Sequence, residues 1–263
     1  MSFFTASGIS AGYKEQQVLH DLSFEVEAGS ITGLLGANGS GKTTLLKAVC
    51  GMLTHTGTCT LNGTVLEHLS ARQLASLCSY IPQRSGISID ISALDVVLMG
   101  FNPQLRLLEH PNAQMKDKAL HALELVGLKG REHTNYLHLS EGQKQLCILA
   151  RTLAADSSLL LLDEPESALD FHYRYHMLDL LQAWIHSGPR SALITLHDPT
   201  LALNYCDRIL LLFDGQMIGS LSPRQDPLSQ MEELLQVIYG PVSLQACQNR
   251  SGQDQLILLR ERF

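Results

Sequence analysis

Gly36-Ala37-Asn38-Gly39-Ser40-Gly41-Lys42-Thr43-Thr44 is the stretch from which the fold is read. It fits the pattern Gly, four residues, Gly-Lys-Ser/Thr, with Gly36, Gly41, Lys42 and Thr43 on the fixed positions. The apolar run Ile31 to Leu35 precedes it, interrupted only by Thr32 and Gly33, and reads as a buried strand. Leu45, Leu46, Val49 and Met52 follow at helical spacing, so a helix is expected over residues 44–52. Strand, glycine-rich loop and helix together form the frame in which this pattern binds phosphate. Gly36, Gly39 and Gly41 let backbone N–H groups turn inward, where they and the helix N-terminus form a nest for phosphate oxygens. Lys42 supplies a positive charge to the β- and γ-phosphates of a nucleotide, and the Thr43 hydroxyl is a ligand for Mg²⁺.

Downstream, Leu159-Leu160-Leu161-Leu162-Asp163-Glu164 reads as a buried parallel strand ending in two carboxylates. Paired with a phosphate loop, such an end suits nucleotide hydrolysis. Asp163 is expected to hold Mg²⁺, and Glu164 to orient and polarise the attacking water. Leu139-Ser140-Glu141-Gly142-Gln143 stands before a helix that Ser140 caps, where free N–H groups can meet an anion.

Short alternating runs at residues 3–9 and 22–26 predict β-structure at the N-terminus, with a polar turn at 14–17 and Tyr13 beside it. Asn62-Gly63 joins residues 58–61 to 65–66 as a hairpin. Ser70 caps a helix through Leu77, and Tyr80-Ile81-Pro82-Gln83 closes a strand. From Arg84 to about Asp156 helical spacing replaces strands, at 93–99, 114–126 and 141–155. Beyond 159–162 the pattern predicts a helix over 171–186, a strand over 192–196, a helix near 200–206 and a strand pair turning at Asp214-Gly215. In the tail it predicts one helix at 230–238 and one strand at 255–259. Leu178, Leu180, Leu181 and Trp184 are expected in the core. His172 and His176 lie four apart on a helix, but no third metal ligand accompanies them, so they read as a solvated face.

These pieces fall in order: Tyr13, the phosphate loop, Gln83, residues 139–143, Asp163-Glu164-Pro165, Ser167-Ala168-Leu169-Asp170 and His197. The set resembles the ATP-binding cassette (ABC) ATPases over nearly the whole chain. The fold this implies is α/β. It is a P-loop NTPase with a RecA-like core, an N-terminal antiparallel β subdomain and an inserted helical subdomain. One ABC ATPase domain would then span 1–240, its core from 1–85 and 156–222 and its helical subdomain from 86–155. The tail 223–263 would pack on the core.

The resemblance also implies roles. Tyr13 would stack on adenine. Residues Gly36, Ala37, Asn38, Gly39, Ser40, Gly41, Lys42, Thr43 and Thr44 would bind the nucleotide. Gln83 would reach both Mg²⁺ and the lytic water, alongside Thr43 and Asp163 on the metal. Ser140, Gly142 and Gln143 would bind the γ-phosphate of ATP held by a second copy, and Asp170 would lie at the dimer seam. His197 would contact the γ-phosphate, as its place after an apolar strand also suggests.

Residues 91–100, Thr195-Leu196-His197-Asp198 and Val237-Ile238-Tyr239-Gly240 look like one subgroup, the ATPase subunits of importers for iron–siderophore complexes, haem and vitamin B12. Some relatives carry molybdate. The implied partners are a second ATPase subunit, a separate membrane permease docking around 83–99, where Ile87, Ile89, Ile91 and Leu94 offer apolar surface, and indirectly an extracytoplasmic solute-binding protein. The implied place is the cytoplasmic face of the inner membrane. Three residues depart from the family pattern: Glu141 for Gly, Glu166 for the usual Thr, and Leu146 where Arg is common. Glu141 is expected to point away from the phosphate, and Glu166 to add negative charge near the site.

Composition limits the alternatives. A net charge of −7 argues against nucleic acid as a partner, which leaves a basic footprint, and so against an ABC protein acting on ribosomes or DNA. No apolar run reaches the roughly 18 residues of a membrane span, and no secretory signal is visible. The six scattered cysteines read as reduced thiols of the cytosol.

Overall fold

The computed structural model describes residues 2–14 and 16–261. β1 (Phe4–Tyr13) and β2 (Gln16–Val26) pair antiparallel, and Lys14 opens their turn with a φ of 54°. Glu15, within the expected turn, lies outside the described residues. Both strands run longer than their apolar alternation indicates, because backbone pairing continues where the side chains have become polar. β3 (Ile31–Leu35) leaves this sheet and is buried on both faces. α1 (Lys42–Val49) follows the loop. It stops one turn short of the expected end: the chain turns at Gly51 (φ 71°), and Met52 is exposed. β4 (His55–Leu61) returns to the free edge of β1, and Asn62-Gly63, both left-handed, turn it into β5 (Thr64–Val65). The first sheet therefore has the order β2-β1-β4-β5. Ser70 caps α2 (Ala71–Leu77) with a reciprocal hydrogen-bond pair to Gln73.

β6 (Cys78–Ile81) leads into a helical segment of α3 (Ala93–Leu98), α4 (Ala113–Leu125) and α5 (Glu141–Ala155). Ser92, Asn112 and Ser140 cap the three through their side-chain oxygens. Gly100 lets the turn after α3 lie directly on α5, since a Cβ there would stand 2.5 Å from the Arg151 carbonyl oxygen. The chain then alternates β7 (Leu159–Asp163), α6 (Phe171–His186), β8 (Ser191–Thr195), α7 (Pro199–Tyr205) and β9 (Arg208–Phe213). Asp214-Gly215 turns it into β10 (Gln216–Leu221).

These strands form the main sheet in the order β10-β9-β3-β8-β7-β6, parallel except at β10. Such an order brings the C-terminal ends of β3, β7 and β8 together, where a parallel sheet flanked by helices binds ligands. Two apolar clusters fill the molecule. One joins the helical segment, α6, α7 and one face of the main sheet, and the other lies between the opposite face, α1 and the first sheet.

In α6, Leu178 and Leu181 are buried as expected, whereas Met177 and Ile185 complete the core. Leu180 and Trp184 are half-buried, and the Arg190 guanidinium lies 4.4 Å from the Trp184 ring centroid. The tail forms α8 (Leu228–Tyr239), whose Met231 and Leu235 are fully buried, followed by a hairpin of β11 (Val242–Gln248) and β12 (Asp254–Arg260). β11 has no counterpart among the sequence-based expectations. Its outer half is exposed and polar, so pairing with β12 defines it rather than periodicity. The Asn204 side chain of α7 bonds both the N–H and the C=O of Leu256, tying the hairpin to the core. All six cysteines are free thiols.

Candidate nucleotide-binding and catalytic site

The loop after β3 is shaped by what its glycines lack. A Cβ on Gly36 would lie 2.3 Å from the Leu212 carbonyl oxygen, and one on Gly41 would lie 2.6 Å from Leu19. Gly39 and Gly41 also have φ values of 83° and 107°, which side-chain-bearing residues rarely adopt. Gly41 is the N-cap of α1 and offers no side-chain acceptor, and the first turn has no acidic residue. The positive end of the helix thus stays available to an anion. Lys42 is buried. Its ammonium donates to the Gly36 and Ala37 carbonyl oxygens at 2.8 and 3.2 Å. Burial lowers its pKa, and the nearby carboxylates of Glu164 and Asp163 oppose that shift.

Asp163, at the end of β7, is the centre of a convergent network. Its Oδ1 accepts from Thr43 Oγ1 at 3.1 Å and from Thr195 Oγ1 at 3.0 Å, and its Oδ2 accepts from the Tyr80 hydroxyl at 3.2 Å. Burial first, then the Asp163 charge, push the Tyr80 pKa well up, so it remains a neutral donor. The Thr195 hydroxyl in turn accepts from Glu164 N at 2.8 Å. Glu164 adopts a φ of 46°, a conformation uncommon for a non-glycine residue and often found at functional sites. Its Oε2 accepts from Gln83 Nε2 at 2.9 Å, across 81 residues of sequence. Sequence reasoning missed Tyr80 and Thr195, which become visible only once β6 and β8 are known to flank β7.

Glu166 departs from the expectation attached to it. It is 2% exposed, and its Oε1 accepts from the backbone N–H of His197 at 2.9 Å. Among the described residues its Oε2 has no hydrogen-bond partner. Burial pushes its pKa up, against the pull of the His197 and Glu166 N–H groups. The residue therefore sits inside the protein as the peg that holds the His197 loop, rather than adding an anion to the site surface. The His197 side chain itself is exposed. Glu166→Ala would strand the His197 N–H at a cost of about 1–3 kcal/mol. Steady-state kinetics should then show kcat for ATP falling by about tenfold with KM little changed, while Glu166→Gln, which keeps the acceptor, stays within a few fold of the parent. Equal losses in both variants would show that the peg is not what matters.

Tyr13 ends β1 and is 45% exposed, as an aromatic platform must be. Ser140 caps α5, accepting from Gln143 N at 3.2 Å, and the Gln143 Oε1 accepts from Ser140 N at 3.1 Å. The Glu141 carboxylate turns along its own helix onto the Lys144 ammonium at 2.7 Å. Gly142 packs beside Leu169 and Ala168. Asp170 is exposed and caps α6 through Tyr173 N. A cleft of about 560 Å³ between Gln83, Glu141, Lys144 and Ser167 joins the segments before α3 and α6 to the start of α5. Leu146 is buried in α5, which suits an apolar side chain at that position. His172 and His176 stack at 6.3 Å, and no third ligand joins them among the described residues.

The oxygen donors of Thr43, Asp163 and Gln83 suit a hard cation such as Mg²⁺. Thr43 and Asp163 already face each other across 120 residues of sequence, as a shared metal requires. The sequence profile of the ABC transporter family matches residues 19–167. The chain is 32% identical over 246 residues to the hemin import ATP-binding protein HmuV of Vibrio anguillarum, covering 92% of each chain. It is 35% identical over 236 residues to the "Probable iron chelatin transport ATP-binding protein" of Helicobacter pylori, covering 88% of this chain and 90% of that one. In three dimensions it matches a chain of "An inward-facing conformation of a putative metal-chelate type ABC transporter", with a TM-score of 0.82, 25% identity and 99% coverage of both. The phosphate loop, the acid pair and these likenesses agree: the chain belongs to the ABC transporter family, as one of its ATPases.

Proposed function

We propose that this chain is the ATP-hydrolysing subunit of an importer for an iron chelate, haem or a siderophore complex, working with a separate membrane permease and a solute-binding protein. The observation that carries the catalytic part is the convergence of Thr43 and Thr195 on Asp163 and of Gln83 on Glu164. The importer reading is supported by the likeness to the hemin import and iron chelatin transport ATP-binding proteins and to the transporter chain matched in three dimensions. Among the described residues, no helix is long and apolar enough to cross a membrane. In this reading the chain sits on the cytoplasmic face of the inner membrane.

The chain's own residues account for the chemistry. Loop N–H groups and Lys42 bind and orient the phosphates, and Tyr13 receives the adenine. Thr43, Asp163 and Gln83 would hold Mg²⁺, which would neutralise phosphate charge when bound. Glu164 accepts a proton from the attacking water, and the amide of Gln83 fixes the carboxylate's orientation. Charge on the transferring phosphoryl group is met by Lys42 and His197, as a loose transition state demands. Two copies would enclose each ATP head to tail, with Ser140, Gly142 and Gln143 of one chain facing nucleotide on the other and Asp170 at the seam.

The permease contact rests on one residue above others. Ile89 is 56% exposed, whereas Ile87 and Ile91 are half-buried against the core and Leu94 is buried. The apolar surface expected around 87–94 thus reduces to Ile89. Membranes of the native cells should yield a polytopic permease when the Glu164→Gln chain is used as bait with ATP. Adding Ile89→Glu should remove the permease while ATP binding is unchanged. Recovery of ribosomes or DNA without a membrane protein would overturn the importer reading.

A further inference from the structure

The first sheet holds a group of side chains that the ATPase chemistry does not use. His55 opens β4, Cys59 lies four residues along it, and Glu67 comes from the 3-10 turn Leu66–His68 after β5. The imidazole nitrogen, the thiol sulfur and a carboxylate oxygen all lie within 4.8 Å of one another. From these residues we infer a binding site for one borderline-soft divalent cation, Zn²⁺ in the first instance.

Three features favour a metal over a simple polar cluster. The Nδ1 of His55 lies 3.1 Å from the Thr56 carbonyl oxygen, which only accepts, so Nδ1 carries a proton. In neutral His55 that leaves the Nε2 lone pair directed at the cluster, the tautomer a metal-binding histidine needs. Second, Nε2 and Glu67 Oε1 are 3.6 Å apart. Tetrahedral Zn²⁺, with bonds of about 2.0–2.2 Å to nitrogen and oxygen, places two such ligands about 3.4 Å apart. The pair therefore already has nearly the required spacing, and Cys59 N fixes the carboxylate by donating to the same Oε1 at 2.6 Å. Third, a cleft of about 310 Å³ reaches His55 and Glu67 past Gly51, Thr54 and Leu66. It supplies an entry path and room for a water as fourth ligand.

The charges balance. A thiolate and a carboxylate neutralise the +2 of the ion, and neutral imidazole completes the set. Cys59 is buried, and burial together with Glu67 keeps its thiol protonated without metal. Binding therefore releases one proton: the S–H bond breaks, the electron pair stays on sulfur and forms the S–Zn bond, and the proton goes to solvent. The nitrogen–sulfur–oxygen set discriminates against Mg²⁺, which favours oxygen and keeps its water. The site would not compete for the cation of the nucleotide site. Its effect would be to clamp β4 to the turn after β5, stabilising the folded chain by mass action.

The test uses the full chain, first stripped with chelator. Titration with Co²⁺ should give one equivalent bound and a thiolate-to-metal charge-transfer absorption, displaced by Zn²⁺. Zn²⁺ should also raise the melting temperature. Cys59→Ser should abolish the absorption, and His55→Gln or Glu67→Gln should weaken binding by at least about tenfold, the loss that removal of a group merely orienting a metal ligand can cause. Cys247→Ser, at an exposed thiol on β11, should change nothing. His55 and Glu67 lie nearer the surface, so those variants keep the test usable if Cys59→Ser unfolds. Absence of the absorption in the parent, or equal Zn²⁺ affinity in His55→Gln, would overturn the site and leave a His55–Glu67 ion pair as the whole explanation.

Discussion

Glu164→Gln is expected to lower steady-state ATP turnover by about 10²–10⁴-fold, the contribution of a positioned general base, while ATP affinity stays within a few fold. The substitution is nearly isosteric. An amide oxygen at Oε2 can still accept from Gln83 Nε2, so the geometry that the parent shows at 2.9 Å is retained. The φ of 46° at this position is a property of the backbone turn after β7 and is equally open to Gln. Only the basicity toward water is lost. ATP bound without being cleaved should then hold two copies together, which size-exclusion chromatography with and without ATP would detect. A variant retaining a tenth or more of parental turnover would place the base on another residue, and Asp163 is the nearest alternative.

Lys42→Ala is expected to weaken ATP binding and turnover together, with kcat/KM down by about 10²–10³-fold, the loss seen when one preorganised donor to a developing charge is removed. Two effects add. The phosphates lose a cation, and the Gly36 and Ala37 carbonyl oxygens lose the donor that ties the loop to Lys42. Lys42→Arg should rescue poorly, because a planar guanidinium does not match a pocket that fits a compact ammonium. The pH dependence has a definite sign. Burial lowers the Lys42 pKa, so in the nucleotide-free chain this lysine loses its proton at a lower pH than an exposed one. ATP affinity, measured by equilibrium titration, should therefore fall with rising alkalinity sooner than an ordinary lysine would dictate. Retention of parental affinity in Lys42→Ala would show that the helix N-terminus and loop N–H groups suffice.

Much of the site is legible in the sequence. The loop at 36–44 needs glycines where the chain turns close to Leu212 and Leu19, and local chemistry alone dictates Lys-Thr after them. The acid pair ends an apolar run that could only be a buried strand. Ser70, Ser92 and Ser140 each carry a partner three residues on, which closes a capping box through local bonds. Elements that bury a periodic face, such as α5 and α6, show their limits in the sequence pattern.

Other features depend on which strands become neighbours. Tyr80, Thr43 and Thr195 meet Asp163 only because β6 and β8 flank β7, and β3 lies beside β8. Glu166 reads as added negative charge near the site until the segment after β8 lays the His197 backbone against it. β11 has too little periodicity to be seen without β12, and His55, Cys59 and Glu67 converge only after β4 turns into β5. Local order follows from contacts within a few residues, where side-chain type sets the energy directly. The polar networks join residues 81 and 120 positions apart. No short-range pattern encodes such a pairing, because it is the sheet order that brings those atoms within hydrogen-bonding reach.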